Sequence, residues 1–172
     1  MDLKEYVRTI ENYPIDGISF KDITTLLKEP DAFKNVVDQV SEYCKDKGIT
    51  KIVSLESRCF IVGGAVAYCL NAGFVPIRKK GKLPAEVINE SYELEYGVDS
   101  IEMHVDALTE DDVVLIHDDL LATGGTAMAA LNLVKQMNVR KIYLSFICDL
   151  TFIQTDKKAE LAGYDTHSVI QY

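Results

Sequence analysis

The stretch VVLIHDDLLATGGTA, Val113–Ala127, decides the fold. Its apolar opening predicts a buried strand over residues 113–117. Two carboxylates and a turn of small residues follow, and the spacing beyond them predicts a helix from about Thr126 to Met137. A buried strand that passes through a tight turn into a helix is typical of a mostly parallel sheet, in which ligands bind beyond the carboxyl ends of the strands.

Strand and helix patterns alternate along the rest of the chain. The sequence from residue 51 to residue 79 reads strand, helix, strand, which predicts a parallel βαβ unit. We therefore expect an α/β protein with a mostly parallel central sheet flanked by helices. Helices are predicted over residues 2–12, 31–47, 61–71 and 155–162, and further strands over residues 51–56, 74–79, 87–96, 100–108, 141–150 and 166–172.

Composition indicates one globular domain over residues 1–172, since 48% of the residues are apolar and 26% are charged. The net charge of −9 argues against general binding of nucleic acid, whose phosphates attract basic surfaces. The uncharged run over residues 59–77 contains two adjacent glycines and a proline, so it predicts a buried helix and strand rather than a membrane span. No membrane partner is expected.

The four cysteines have no CxxC pairing and no spacing to histidine that is typical of a metal site. The N-terminus lacks the apolar core of a signal peptide. Both features predict reduced thiols in a cytoplasmic protein.

The turn over residues 122–126 has the chemistry of a phosphate site. Its small residues let backbone N–H groups approach a ligand closely, and the start of the next helix adds unpaired N–H donors. No lysine follows the glycines, so the turn is not a Walker-type nucleotide loop. A structural alternative is a plain strand-to-helix turn with Thr126 as the N-cap.

Asp118 and Asp119 narrow the choice of ligand, because ionised carboxylates repel a phosphate and accept hydrogen bonds from hydroxyls or from Mg²⁺-bound water. Alternation along an extended chain predicts that one of them faces the ligand directly. A solvated loop and a receiver-like phosphoacceptor site are alternatives, but the second leaves ATGGT unexplained. A sugar phosphate with free hydroxyls fits the whole stretch.

Four further motifs, together with DDLLATGGT, carry a resemblance to a known family. They are GISFKDIT (17–24), SLESRCF (54–60), RKKGKLP (78–84) and SYELEYG (91–97). With them the chain resembles the adenine phosphoribosyltransferases of the type I phosphoribosyltransferase family over nearly its whole length. The resemblance implies the type I fold, with an N-terminal hood over residues 1–30 and a flexible catalytic loop over residues 79–99.

The resemblance implies transfer of the ribosyl 5-phosphate of 5-phosphoribosyl 1-pyrophosphate (PRPP) to N9 of adenine, giving AMP and pyrophosphate, with Mg²⁺ and in a homodimer. It also implies a role for each matching residue. The 5-phosphate lies on Ala122, Thr123, Gly124, Gly125 and Thr126, and the ribose hydroxyls lie near Asp118 and Asp119, with the metal held mainly by substrate and water. Pyrophosphate is bound by Arg58, Lys79 and Lys82, adenine by Phe20, Lys21 and Leu120, and catalysis involves Arg58, Glu95 and Tyr96.

The chain departs from the family pattern at a few positions. Cys59 and Ser54 stand where the family usually or often has glycine, Lys21 where it has arginine, and Ala85 where it frequently has glycine. A cation beside a thiol lowers its pKa, so we expect Arg58 to lower the pKa of Cys59 and thiol reagents to inhibit the enzyme. Base affinity is expected to weaken at Lys21 only if the contact uses its side chain.

Two other functions remain open. One is transfer to another purine base, against which LEYG and the hood motif argue. The other is a regulator of the same fold that senses PRPP and binds nucleic acid, for which the chain has neither spare length nor a basic balance.

Overall fold

The computed structural model describes residues 1–94 and 97–172, and of Leu94 it describes the backbone alone. In chain order the strands are β1 (Arg8–Glu11), β2 (Ser19–Asp22), β3 (Lys51–Leu55), β4 (Gly73–Lys79), β5 (Val87–Leu94), β6 (Gly97–His104), β7 (Val113–Leu121), β8 (Lys141–Asp149) and β9 (Thr166–Gln171). The helices are α1 (Thr24–Leu27), α2 (Pro30–Cys44), α3 (Cys59–Leu70), α4 (Gly125–Gln136) and α5 (Asp156–Leu161).

The central sheet confirms the predicted α/β class. Its strand order is β5-β6-β4-β3-β7-β8-β9, and the pairs β4-β3, β3-β7, β7-β8 and β8-β9 are parallel. The β5-β6 hairpin joins the edge of β4 in antiparallel pairing. Strand β7 is the middle one of the five parallel strands and has apolar cores on both faces, which explains its continuous run of buried residues.

The N-terminal segment differs from the predicted helix over residues 2–12. A single 3₁₀ turn covers Leu3–Tyr6, and the chain then enters β1, which pairs with β2 in a separate antiparallel hairpin. Arg8 lies opposite Asp22 in this hairpin, and its guanidinium binds that carboxylate. Pairing with the next strand therefore overrides the local helical spacing.

Strand β7 is longer than predicted. The pattern predicted its end at His117, but pairing with β8 continues as far as Leu121 opposite Asp149. The two carboxylates therefore belong to the strand itself. Within the described residues, no helix is long and apolar enough to cross a membrane.

Candidate active site

The carboxyl ends of β3 and β7 bring together two pairs of consecutive residues. Arg58 and Cys59 begin α3 just after β3, and Asp118 and Asp119 lie near the end of β7. Nε of Arg58 donates to Oδ2 of Asp119 at 2.6 Å, and Sγ of Cys59 donates to Oδ1 of Asp118 at 3.0 Å. Each member of one pair therefore contacts one member of the other.

Both acids contribute to this cluster, although alternation predicted that one would face the ligand. Sγ of Cys59 and one carboxylate oxygen from each of Asp118 and Asp119 lie within 4.8 Å of one another. The backbone N–H of Asp119 also donates to Oδ1 of Asp118 at 2.8 Å. Both acids are 8% exposed, so a ligand group that binds to them loses its contact with solvent.

Burial controls the protonation of this cluster. Burial first, and then the neighbouring charge of Asp119, raise the pKa of Asp118 to about 7. Burial also raises the pKa of Cys59, with the two aspartates adding to the effect. The prediction that Arg58 lowers the pKa of this thiol is therefore wrong, because the guanidinium pairs with Asp119 and the thiol faces a carboxylate.

His117, immediately before the acids, does not add charge to the site. It is fully buried, and burial lowers its pKa to about 4, so the imidazole is neutral at neutral pH.

We expect Cys59 to resist alkylation in the native protein, because its side chain is 1% exposed and remains a thiol at neutral pH. Iodoacetamide labelling followed by peptide mass spectrometry measures this, with the urea-unfolded protein as the control in which Cys59 reacts. Inhibition that tracks labelling of Cys59 and is prevented by PRPP would contradict this prediction.

The turn between β7 and α4 forms a small cradle. Residues 120–127 line a cavity of about 60 Å³, which is large enough for more than one water-sized group. Gly124 has φ of +86°, a left-handed conformation that favours glycine, and α4 begins at Gly125. Thr126 therefore lies inside the helix, and the alternative that made it the N-cap is wrong.

The cradle offers backbone donors to an anion. The first hydrogen bond into α4 runs from the N–H of Met128 to the carbonyl of Gly124. Among the described residues, the N–H groups of Thr123 through Ala127 donate to no protein acceptor. Donors at the start of a 12-residue helix suit a phosphate.

Phe20 lies on β2 beside this cluster. Its ring centroid is 5.1 Å from the guanidinium carbon of Arg58 and 5.3 Å from the ring of Tyr13. The next residue, Lys21, points the other way, because its Nζ donates to Oγ1 of Thr9 and lies 4.4 Å from the ring of Tyr172. The structure thus brings Phe20 to Arg58 and directs the side chain of Lys21 to Thr9 and Tyr172.

Leu120, the third predicted adenine contact, is half-buried and lines the cradle with residues 121–127. Its side chain packs against one of the two apolar cores of the sheet. Its role toward a base stays a prediction.

Lys79 and Lys82 lie at the far end of β4 and in the turn after it. Nζ of Lys79 is 3.2 Å from Oδ2 of Asp99 on β6, and its backbone N–H donates to Glu56 at 2.7 Å. Lys82 is exposed, and in the described part of the chain it pairs with no carboxylate. Glu95 and Tyr96 lie outside the described residues.

Two supporting groups were missed by the sequence patterns. Glu56 accepts from the side chain of Arg78 as well as from the backbone of Lys79, so it joins the end of β3 to β4. Tyr92 donates to Asp99 at 3.3 Å, and its pKa is raised by burial and by that carboxylate. The signal for Glu56 was its place at the carboxyl end of the strand predicted over residues 51–56, where parallel strands position functional groups.

The chemistry of the site is that of an anion cradle beside two hydrogen-bond acceptors, with an arginine and an aromatic ring above them. This arrangement suits a phosphorylated sugar whose hydroxyls reach Asp118 and Asp119. The carboxylates provide oxygen ligands, the type that Mg²⁺ prefers, while the Cys59 thiol is a poor ligand for that ion.

Comparisons with known proteins agree with this chemistry. The family model of the phosphoribosyl transferase domain matches residues 22–162. The adenine phosphoribosyltransferase of Bacteroides thetaiotaomicron is 57% identical over 144 residues, which cover 84% of this chain and 82% of that protein.

Two solved structures have the same fold. The adenine phosphoribosyltransferase of Rhodothermus marinus superposes with a TM-score of 0.91 at 46% identity, covering 99% of this chain and 96% of that one. The Giardia lamblia enzyme, solved with 9-deazaadenine, gives a TM-score of 0.93 at 38% identity, covering 99% and 96%.

The chain therefore belongs to the phosphoribosyl transferase family, and it is an enzyme of that class. The similar proteins belong to one group within this family. Over nearly its whole length the chain is similar to adenine phosphoribosyltransferases in particular.

Proposed function

We propose that the chain transfers the 5-phosphoribosyl group of PRPP to N9 of adenine, releasing pyrophosphate and giving AMP. One observation carries this proposal: the phosphate cradle and the acid pair lie close together in the chain at the end of β7. The cradle over residues 122–126 would take the 5-phosphate, and Asp118 and Asp119 would accept hydrogen bonds from the ribose hydroxyls.

Arg58, Lys79 and Lys82 are proposed to bind pyrophosphate. The bond from C1 of the ribose to a pyrophosphate oxygen breaks during transfer, and cations near that oxygen stabilise the negative charge that develops. Arg58 offers two parallel N–H donors to phosphate, whereas each lysine offers a point charge. To reach pyrophosphate, Arg58 would leave Asp119 and Lys79 would leave Asp99.

Phe20 is proposed to stack on the adenine ring. In support, its half-buried ring lies next to Arg58, and Arg58 contacts Asp119, one of the acids that would hold the ribose. The binding of 9-deazaadenine by the Giardia lamblia enzyme supports a purine site in this fold. For Lys21 we propose a backbone contact, since its side chain is engaged with Thr9.

The β5-β6 hairpin is proposed to exclude water during transfer, as the flexible loop predicted over residues 79–99. A sugar that loses pyrophosphate becomes oxocarbenium-like, and water would compete with adenine for it. The hairpin already reaches the cradle, since a Cβ atom placed on Gly125 would lie 3.8 Å from the carbonyl oxygen of Glu93.

Magnesium is the proposed cofactor. Asp118 and Asp119 would hold Mg²⁺ through water and through the oxygens of PRPP, because the thiol of Cys59 already occupies one side of Asp118. The ion would neutralise charge on the pyrophosphate oxygens.

The proposed reaction is tested by mixing the protein, PRPP and Mg²⁺ with each purine base in turn and following pyrophosphate release. AMP formed from adenine alone is expected. Turnover with another base instead would identify a different purine phosphoribosyltransferase. Stabilisation by PRPP without turnover on any base would favour the regulator.

Glu95 is proposed to take the proton that N9 of adenine loses, as a general base. Replacing Glu95 with glutamine is expected to lower kcat by about a hundredfold, a typical contribution of proton transfer, with little change in KM for PRPP. Stopped-assay kinetics of the two proteins measure this. Unchanged turnover in a folded Glu95→Gln protein would remove Glu95 from the mechanism.

A homodimer is proposed, and its interface is the outer face of α3. The sequence of this helix, CFIVGGAVAYCL, has no charged side chain on any face, yet Ile61 is 51% exposed and Tyr68 is 89% exposed. A helix that is apolar all round is normally buried, so a second copy of the chain would cover it.

Replacing Tyr68 with glutamate is expected to convert the dimer into a monomer, because a charge would then lie in an apolar interface. Sedimentation velocity measures the mass of each form. The matched control is Tyr13→Glu, since Tyr13 is also exposed but lies on the hood. A wild-type monomer, or a Tyr68→Glu dimer of unchanged stability, would contradict this interface.

The cytoplasm is the proposed location. All four cysteines are free, and three of them are buried. Unpaired buried thiols are usual in the reducing cytoplasm and unusual in oxidising compartments. Imaging of a fluorescent fusion in the source cell tests this.

A further inference from the structure

Helix α5 is fastened to the cradle at its N-terminal end. Oγ1 of Thr155 donates to the carbonyl of Thr123 at 2.6 Å and accepts from the N–H of Lys158. Nζ of Lys158 donates to Asp149 and to the carbonyl of Leu150, both at 2.8 Å. These contacts hold the start of α5 in a fixed position against residues 122–125.

Lys157 uses this position to cover the two glycines of the cradle. A Cβ atom placed on Gly124 would lie 3.4 Å from Cβ of Lys157, and one placed on Gly125 would lie 3.9 Å from its Nζ. The side chain therefore runs from one glycine to the next, and its ammonium group ends beside the N–H donors of the cradle.

The ammonium of Lys157 is available to a ligand. Lys158 is committed to Asp149 by an ion pair, whereas for Lys157 the described ranges, 1–94 and 97–172, contain no carboxylate within ion-pair distance. The residue is exposed, so a negatively charged group in the cradle can reach it. An available ammonium beside the backbone donors of the cradle is what a phosphate dianion requires.

We infer that Lys157 is a substrate-binding residue that contacts the 5-phosphate of the substrate and product. The inference rests on the proposed function, because it takes the cradle as the 5-phosphate site. The backbone donors orient the phosphate oxygens, and the ammonium neutralises part of a charge of about −2. Pyrophosphate would lie at Arg58 and the β4 turn. Lys157 therefore raises the affinity for the 5-phosphate and leaves the affinity for pyrophosphate unchanged.

The test measures binding of two ligands, AMP and pyrophosphate, by isothermal titration calorimetry. AMP carries the 5-phosphate and pyrophosphate does not. Lys157→Ala is expected to weaken AMP binding about three- to tenfold, as for one exposed charge, and to leave pyrophosphate binding unchanged. Lys157→Arg is expected to bind AMP nearly as well as the wild type. The loss of AMP affinity in Lys157→Ala is expected to be smaller at about 500 mM salt than at about 50 mM salt.

The control is Lys45→Ala, which removes the same charge from the exposed end of α2, at the opposite end of the sheet from the cradle. Equal AMP binding by Lys157→Ala and the wild type at low salt would overturn the inference, as would equal losses for AMP and pyrophosphate. Wild-type protein that binds no AMP would overturn the proposed function and the inference with it, and this outcome is visible before any variant is made.

Discussion

Asp119→Asn is expected to lower kcat/KM for PRPP by about a hundredfold. A hydrogen bond to a charged group contributes about 1.5–3 kcal/mol, and each factor of ten in rate corresponds to about 1.4 kcal/mol. The substitution also leaves Arg58, whose side chain is 37% exposed, without the carboxylate that it contacts at 2.6 Å. Steady-state kinetics with PRPP as the varied substrate measure the loss.

The same variant is expected to change how stability depends on pH. Burial and then Asp119 raise the pKa of Asp118 to about 7, above its ordinary value of 3.8. The folded protein therefore holds this proton where the unfolded chain has lost it, and the resulting stability is lost as the pH rises through about 7. The substitution removes the neighbouring charge at position 119, so the loss should move to lower pH.

Urea unfolding between about pH 5 and about pH 8 measures this shift. The control is Asp156→Asn, which removes a carboxylate from the exposed first turn of α5. Wild-type kinetics in Asp119→Asn would contradict the role of Asp119 in binding ribose, and an unchanged pH profile of stability would contradict its effect on Asp118.

Gly124→Ala is expected to raise KM for PRPP at least about tenfold and to destabilise the fold by about 2 kcal/mol. A side chain at φ of +86° costs about 1–2 kcal/mol. Its Cβ would also lie 3.2 Å from Cδ1 of Leu161 and 3.3 Å from Cγ of Lys158, so these side chains would have to give way by a few tenths of an ångström. Strain at this residue is expected to disturb the direction of the N–H donors in the cradle.

Gly48→Ala is the matched control for the backbone strain. Gly48 has φ of +66° but nothing within 4 Å of its added Cβ, and it lies before β3, away from the cradle. We expect it to cost about 1 kcal/mol of stability with no change in KM. Thermal unfolding and kinetics of both variants separate strain from binding. Equal KM values in the two variants would contradict the role of Gly124 in the cradle.

Local pattern predicted the framework of this protein well. The apolar run of β7, the βαβ unit over residues 51–79 and the helix after the glycines all follow from spacing that burial dictates. The strand at Arg8–Glu11 does not follow from local spacing. It forms because it pairs with Ser19–Asp22, and its own residues do not reveal that pairing. The end of β7 was also missed, since continued pairing with β8 keeps two acids in the strand.

The site was predicted as a set of residues but not as a set of contacts. Motifs identified Arg58, Asp118, Asp119 and the cradle, which the structure places at the carboxyl ends of β3 and β7. They could not show that Cys59 faces a carboxylate rather than the arginine beside it in sequence. Neighbours along the chain differ from neighbours in space, and the pKa of a thiol depends on the second kind.

The contact between Arg58 and Asp119 has a consequence for turnover. In the free protein the guanidinium acts as an internal ligand for the acid that would hold the ribose. PRPP must displace it on binding, so the apparent affinity for PRPP is lower than the intrinsic affinity. The contact forms again as the nucleotide departs, which favours release. The contact of Arg58 with Asp119 thus lowers the affinity for the product and speeds its release.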